Sequence, residues 1–83
     1  MTNNNIVQII APNQGLTVTE IVIGEWYKKV GDNVEKGEEI LQYESDKAVF
    51  QLESPADGKL SKIVAEEGDT IPIGGIIGEI STS

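Results

Sequence analysis

The sequence predicts an all-β fold, a small sandwich or flattened barrel of two four-stranded sheets with an internal pseudo-twofold repeat. Three observations predict it. Short apolar runs alternate with glycine turns, and no stretch carries a helical period. A segment near the middle of the chain recurs near its end, at an offset of 37 residues. One pair of neighbouring runs fixes its own antiparallel register by matching side chains.

The elements follow in order. Ile6 to Ala11 is an apolar run stopped by Pro12-Asn13-Gln14-Gly15, a loop signal. Thr19, Ile21, Ile23 and Trp26 mark a second strand and its exit. Val30-Gly31-Asp32-Asn33 is a turn, and Val34 begins a brief extended piece ending at Lys36-Gly37. Ile40 to Ser45 and Ala48 to Ser54 are the clearest strands. Pro55 to Gly58 forms another loop, and Lys59 to Val64 runs to the turn at Glu67-Gly68-Asp69. Thr70 to Ile73 and Ile76 to Ile80 close the fold. Residues 1–80 are expected to form one domain, with Ser81-Thr82-Ser83 the start of a linker or a free end and Met1 a true N-terminus.

The repeat aligns Gly31, Asp32, Gly37 and Ile40 with Gly68, Asp69, Gly74 and Ile77, and Val34 with Ile71. Two copies are too few for a solenoid, which needs about three. A pair of similar halves facing each other is the natural outcome.

Composition removes whole classes of chemistry. The 83 residues contain no cysteine and no histidine. That excludes serine and cysteine triads, thiolate chemistry and the usual zinc ligand sets. Ile, Leu, Val and Phe make up about 29% of the chain, above the roughly 20% below which disorder is expected. A formal charge of −8 argues against nucleic acid and anionic membrane surfaces as partners. No apolar run approaches the ~20 residues of a membrane span. Glu66, Glu67 and Asp69 cluster on a turn with no implied pocket, which reads as solvation. Gly74-Gly75-Ile76-Ile77-Gly78 has the wrong spacing for a dinucleotide fingerprint and enters a strand. No catalytic residue and no metal site are expected.

The register of the central hairpin singles out one residue. Folding the chain between Asp46 and Lys47 pairs Ser45 with Ala48, Tyr43 with Phe50 and Leu41 with Leu52 on the inward face. Glu44 with Val49 and Gln42 with Gln51 become outward pairs. All the large inward pairs match at once, so the pattern puts Asp46-Lys47 at the tip. Tight hairpin turns favour Asn-Gly or Asp-Gly, which tolerate positive φ, and lysine brings no such benefit. A merely soluble lysine and a functional one both remain open on the residues alone.

Glu44-Ser45-Asp46-Lys47-Ala48-Val49 resembles the lipoylation motif of the lipoyl domains of 2-oxo acid dehydrogenase complexes. The flanks agree: Trp26 before Gly31-Asp32, Val34, Gly37, Ser54-Pro55-Ala56-Asp57-Gly58, Gly68-Asp69 and Gly78-Glu79-Ile80. The likeness runs from Ile6 to Ile80. It implies a flattened barrel with the Asp46-Lys47 turn at one end and both termini near the other. It implies lipoic acid in amide linkage to Lys47, and recognition of Glu44, Ser45, Asp46 and Ala48 by a lipoate–protein ligase or lipoyl transferase. The partners implied are a thiamine diphosphate-dependent 2-oxo acid decarboxylase, an acyltransferase core and dihydrolipoamide dehydrogenase. The domain itself would be monomeric and non-catalytic, a swinging-arm carrier within an acyltransferase chain. A cytoplasmic setting is favoured over a mitochondrial matrix.

In the family, the loop after the first strand lies beside the lipoyl turn and helps the decarboxylase recognise the domain. Here that loop is Asn13-Gln14-Gly15-Leu16-Thr17, where many relatives carry Gly-Glu-Gly or Gly-Glu-Ser. Trp26-Tyr27-Lys28-Lys29 resembles succinyltransferase-type domains, with pyruvate, branched-chain and acetoin complexes also open. Alternatives are a biotinyl carrier, which usually shows Met-Lys-Met at the tip, a glycine-cleavage-type lipoyl carrier, or an unmodified adaptor of the same fold. Lys47 is expected to be charged: with the ordinary lysine pKa of ~10.4, well under 1% is free amine at pH 7. It would therefore be an attachment point that a ligase must activate, not a catalytic base.

Overall fold

The computed structural model describes residues 5–13, 19–45 and 48–82. Eight strands follow one another: β1 (Ile6–Ile10), β2 (Glu20–Trp26), β3 (Asn33–Val34), β4 (Glu39–Ser45), β5 (Ala48–Glu53), β6 (Gly58–Ile63), β7 (Thr70–Pro72) and β8 (Ile76–Ser81). Isoleucine and valine dominate them because branched side chains pack well on a pleated, half-buried surface. In β2, Ile21 and Ile23 are buried while Val22 between them is exposed, the period-two pattern of a strand with one wet face.

Two antiparallel four-stranded sheets result, ordered β1-β8-β6-β3 and β5-β4-β2-β7. Ile9, Leu60, Ile77 and Ile80 from the first meet Ile21, Ile23, Ile40, Leu41 and Tyr43 from the second in one buried cluster. The sheets do not close into a barrel, so of the two expected forms the sandwich is the one observed. Among the described residues, their edges are joined through turn backbone. The turn after β7 binds the end of β1 (Gly74 N–H to Ala11 O, Ala11 N–H to Gly75 O), and the turn after β3 binds Ser54 in the same way (Gly37 N–H to Ser54 O, Ser54 N–H to Glu38 O).

These two clasps are one clasp repeated. Moving 37 residues along the chain carries the first half's bonds onto the second's. Gly31 N–H donates to Leu60 O and Gly68 N–H to Ile23 O; Tyr27 N–H and Val64 N–H donate to Ile40 O and Ile77 O. The Gly-Asp turns repeat as well. Asp32 accepts from Lys29 N–H at 2.9 Å and Asp69 from Glu66 N–H at 2.9 Å. Gly31 and Gly68 hold φ of 102° and 89°, where a side chain is disfavoured. The sequence repeat is therefore a repeat of turn chemistry. β3 is shorter than the extended piece expected to Lys36, because the chain already folds back there. Glu38 N–H bonds Glu35 O, and the Glu38 carboxylate accepts from Glu35 N–H.

The pseudo-symmetry exchanges the sheets: β2, β3 and β4 map onto β6, β7 and β8, and β5 onto β1. Every connection but one passes from one sheet to the other. The exception is β4 to β5, which stays within its sheet. Its counterpart is the gap between β8 and β1, where Thr82 N–H donates to Asn5 O at 2.8 Å.

Three outcomes are expected. Gly58→Ala should destabilise by more than the ~1 kcal/mol of an average substitution. An added Cβ there would collide with the carbonyl oxygen of Ser81, and a lowered urea midpoint checks it. Asp32→Ala and Asp69→Ala should each lose roughly 0.5–1.5 kcal/mol, one turn-closing hydrogen bond, and by similar amounts because the turns are alike. Third, Lys28 Nζ sits 2.7 Å from Glu38 Oε2. That hydrogen bond, then the one from Glu35 N–H, holds the Glu38 carboxyl below its usual pKa, and the same pair raises Lys28. The pair's contribution is complete between the unfolded carboxylate and ammonium values, roughly pH 5 to 9. It fades as acid protonates Glu38 and as base deprotonates Lys28. Thermal melts of Glu38→Gln should show a shallower acid limb than wild type.

Candidate functional site

The β4–β5 ladder pairs Glu39 with Glu53, Leu41 with Leu52, Gln42 with Gln51, Tyr43 with Phe50, Glu44 with Val49 and Ser45 with Ala48. From Leu41 onward this is the register that matched side chains predict. A bulge between Glu39 and Leu41 lets two consecutive residues, Ile40 and Leu41, both face inward. Tyr43 is 1% exposed and stacks on Phe50 with ring centroids 5.5 Å apart and planes at 25°. This pair stiffens the hairpin two rungs below its end.

The last rung is Ser45 with Ala48, so the chain between them is the dipeptide Asp46-Lys47, which lies outside the described residues. Of the motif residues that are described, Glu44 and Ala48 are exposed and Ser45 is buried. The Ser45 hydroxyl has no hydrogen-bond partner among the described residues. In the loop expected to recognise a partner, Asn13 is exposed; Gln14, Gly15, Leu16 and Thr17 lie outside the described residues. The flanks of that loop are fixed. Ala11 is held by Gly74 and Gly75, and Thr19 O accepts from Ile73 N–H at 3.0 Å. Glu20 pairs with Pro72, and two residues on Val22 pairs with Glu44. That register sets Glu20 level with the end of β4. The loop thus leaves and re-enters the fold at the hairpin's end.

Register also assembles a row the sequence does not display. Val49, Glu44, Val22 and Thr70 lie side by side across the outer face. Val49 is 59% exposed and Val22 37%. Alternation within each strand signals that both point outward, but only the β2–β4 pairing brings Val22 beside Glu44. The strands of this sheet carry Glu20, Glu25, Glu39, Glu44 and Glu53 and no cation. Those of the other sheet carry Lys59 and Lys62 against Glu79. The sheet that bears the hairpin is thus the acidic one.

A groove of about 620 Å³ lies elsewhere, lined by Trp26, Lys28, Lys29, Val30, Ile63, Glu66 and Glu67. Trp26 pairs with Leu41, about 14 Å of strand from Ser45 at 3.4 Å per residue. Its indole N–H donates to Ala65 O at 2.9 Å, tying the exits of β2 and β6 together, so Trp26 serves the edge of the core. At the last described rung of the hairpin, Ala48 on the edge strand is open to solvent while Ser45 is buried.

Phe50→Ala is expected to cost about 2–3 kcal/mol, somewhat below a fully buried Phe because Phe50 is half-buried. Faster amide exchange should concentrate in β4 and β5, with β6 and β8 protected as before.

Comparison with known proteins places this geometry. The family model described as "Biotin-requiring enzyme", the biotin and lipoyl attachment domain, matches residues 7–80. The chain is 38% identical over 73 residues to the dihydrolipoyllysine-residue succinyltransferase component of the 2-oxoglutarate dehydrogenase complex of Bartonella vinsonii subsp. berkhoffii. It is 40% identical over 75 residues to the corresponding component of Rickettsia conorii. These alignments cover 88% and 90% of this chain but only 18% and 19% of the relatives, so the chain spans under a fifth of their length. The solution structure of the lipoyl domain of the 2-oxoglutarate dehydrogenase complex from Azotobacter vinelandii superposes with a TM-score of 0.74 at 34% identity, covering 93% of this chain and 96% of that one. The chain therefore belongs to the biotin and lipoyl attachment domain family, as a lipoyl domain.

Proposed function

We propose that Lys47 is the lipoyl attachment residue, and that the domain carries acyl groups and reducing equivalents as the lipoyl domain of a dihydrolipoyllysine succinyltransferase acting on 2-oxoglutarate. The observation that carries the reading is the ladder that ends at Ser45 and Ala48, leaving Asp46-Lys47 as the link of the one within-sheet connection among the described strands. The residues around the link fit a covalent arm. Glu44, Ala48 and Val49 are exposed. Bound there, a lipoyl group supplies a dithiolane that takes up electrons and an acyl group.

This chain's residues supply presentation. The amine of Lys47, charged in water, needs a ligase to activate the carboxyl partner and remove its proton. Glu44, Asp46 and Ala48 are what that ligase reads, while Ser45, expected among them, is buried beneath the link. Amide formation removes one positive charge, making the acidic face more so. Basic margins around the decarboxylase and dehydrogenase active sites would be steered toward it. Asn13 to Thr17, a segment whose flanks Ala11 and Thr19 are fixed near the hairpin's end, discriminates among decarboxylases. The acyltransferase core receives the acyl group, and the bilayer and nucleic acids play no part. Residues 1–80 act as the carrier unit, monomeric and cytoplasmic. Preference for 2-oxoglutarate is supported by the names of the succinyltransferase relatives.

Incubation with lipoate–protein ligase, ATP and lipoate should add one lipoyl increment to the intact mass of wild type and none to Lys47→Ala. An unmodified wild type, or a modified variant, rejects the assignment. Biotin ligase and biotin in a parallel reaction should leave the mass unchanged. Reductive acylation of the loaded domain should be fastest with a 2-oxoglutarate decarboxylase; faster acylation by a pyruvate or branched-chain enzyme rejects the substrate.

A further inference from the structure

The outer face of the acidic sheet carries an exposed valine that the fold does not require. Val49, Glu44, Val22 and Thr70 form one row across that face. The pseudo-twofold lays this row, rung for rung, on Ile6, Ser81, Lys59 and Asn33 of the other sheet. One backbone position thus holds an exposed lysine in one half, Lys59, and a valine 37% exposed in the other, Val22. Neither strand pairing nor core packing calls for an apolar side chain there. Val49, 59% exposed, lies two strands from Val22, about 10 Å across the sheet. Glu44 stands between the two valines, and Glu20, two residues before Val22, shares their face; both carboxylates are exposed. The next outward position along β2 is Gly24, where an added Cβ would meet Gln42 Cγ. The Tyr27 hydroxyl donates to Gln42 Oε1 at 3.3 Å, so a tied glutamine closes the patch on that side.

We propose that Val22 and Val49 form the apolar centre of the face on which the 2-oxo acid decarboxylase docks, with Glu20 and Glu44 receiving its lysine or arginine side chains. The proposal rests on the lipoyl reading above. Charge selects a basic surface: the strands of this sheet carry five glutamates and no cation. A formal charge of −8 turns away a second copy of the chain. Under the lipoyl reading, the ligase and the dehydrogenase act on an arm without its acyl group, the same whatever acid is oxidised. The acyltransferase core is joined to the domain through its own chain. The decarboxylase comes untethered and delivers one particular acyl group, so it is the partner that gains from an identity displayed beyond the arm. The face also begins one residue after Thr19, where the segment assigned to decarboxylase discrimination re-enters the fold. Glutamates speed such an encounter, and valines packed on an apolar side chain prolong it.

The test uses the lipoylated domain as wild type, Val22→Thr, Val49→Thr and the double variant, with Ile6→Thr as the matching change on the other sheet. Threonine keeps a strand-favouring branched shape and replaces one methyl by a hydroxyl. On a wet face each variant should melt with the wild type. Intact mass confirms loading, and reductive acylation by purified 2-oxoglutarate decarboxylase is followed across domain concentrations at low and high salt. Each valine variant should lose about fivefold in kcat/KM, carried by KM, and the double variant about twentyfold, since the positions are far enough apart to add. That loss should persist at high salt, whereas Glu20→Gln should be slower than wild type only at low salt. Ile6→Thr should be acylated as wild type, and reoxidation by dihydrolipoamide dehydrogenase should be unchanged in every valine variant. Valine variants acylated at the wild-type rate overturn the proposal. A loss carried by kcat, an equal loss in Ile6→Thr, or an equal loss with the dehydrogenase also overturns it. A wild type that takes up no lipoyl group overturns the lipoyl reading and this proposal with it. A loaded wild type acylated no faster than the double variant overturns this proposal alone.

Discussion

The register between β4 and β5 is the constraint from which the rest follows. A one-residue slip would turn Tyr43 and Leu41 out of the core and bring Glu44 and Gln42 in. Burying a carboxylate without a partner costs several kcal/mol, more than any alternative turn could return. The register therefore stands whatever the turn residues prefer, which frees the link at 46 and 47 from the sequence rules of tight hairpins. Asn-Gly or Asp-Gly would suit such a link better. Because the ladder below already fixes the hairpin, a lysine in that link does not endanger the register.

The pseudo-twofold explains why only one tip is available. Cross-sheet connections lie against the ends of the sandwich, held by clasps such as Gly74 to Ala11 and Gly37 to Ser54. A within-sheet hairpin is not drawn back across the core in that way. The symmetry provides two such places, and the chain termini occupy the second, near Asn5 and Thr82. Ala11, level with the hairpin end, is separated from Asn5 by the length of β1, roughly 20 Å of extended strand. A tether leaving either terminus therefore starts from the far end of the molecule and does not crowd the arm.

Much of this is legible in the sequence, and the limits of legibility have physical causes. The hairpin register can be read because large inward pairs all match together, and the repeat because Gly31-Asp32 and Gly68-Asp69 close turns with the same carboxylate-to-backbone bond. The bulge between Glu39 and Leu41, with its counterpart between Ile9 and Ile10, leaves no compositional mark, since it costs only a local change of backbone pairing. The closing of the sandwich was legible only as a choice between two forms. Whether edges pair or merely touch depends on turn backbone at Ala11 and Ser54, not on strand pattern. Of the site, the motif from Glu44 to Val49 is local and readable. Val22 beside Glu44 is not, because that contact exists only through the β2–β4 register. Nor could sequence tell that Ser45 is sealed while its rung partner Ala48 is exposed. Edge position leaves one side of β5 open and covers β4 on both.

A carrier domain needs stiffness and accessibility at the same few residues, two demands that oppose each other. Accessible residues make few contacts, and contacts give stiffness. The hairpin separates them by one strand's width. β4, flanked by β2 and β5, carries Tyr43 in the core and supplies rigidity. β5, at the sheet edge, leaves Ala48 and Val49 in water and supplies access. An arm rooted on such a base keeps its origin fixed while its own length sweeps the surroundings. The effective concentration at each partner site is then set by arm and tether, not by fluctuation of the domain. The acidic sheet adds orientation to that search: with five glutamates on its strands and no lysine, it turns the hairpin end toward positive surfaces before contact. Under the proposed role, catalysis resides in the partners, and the hairpin's part is to give the arm a stiff and accessible base.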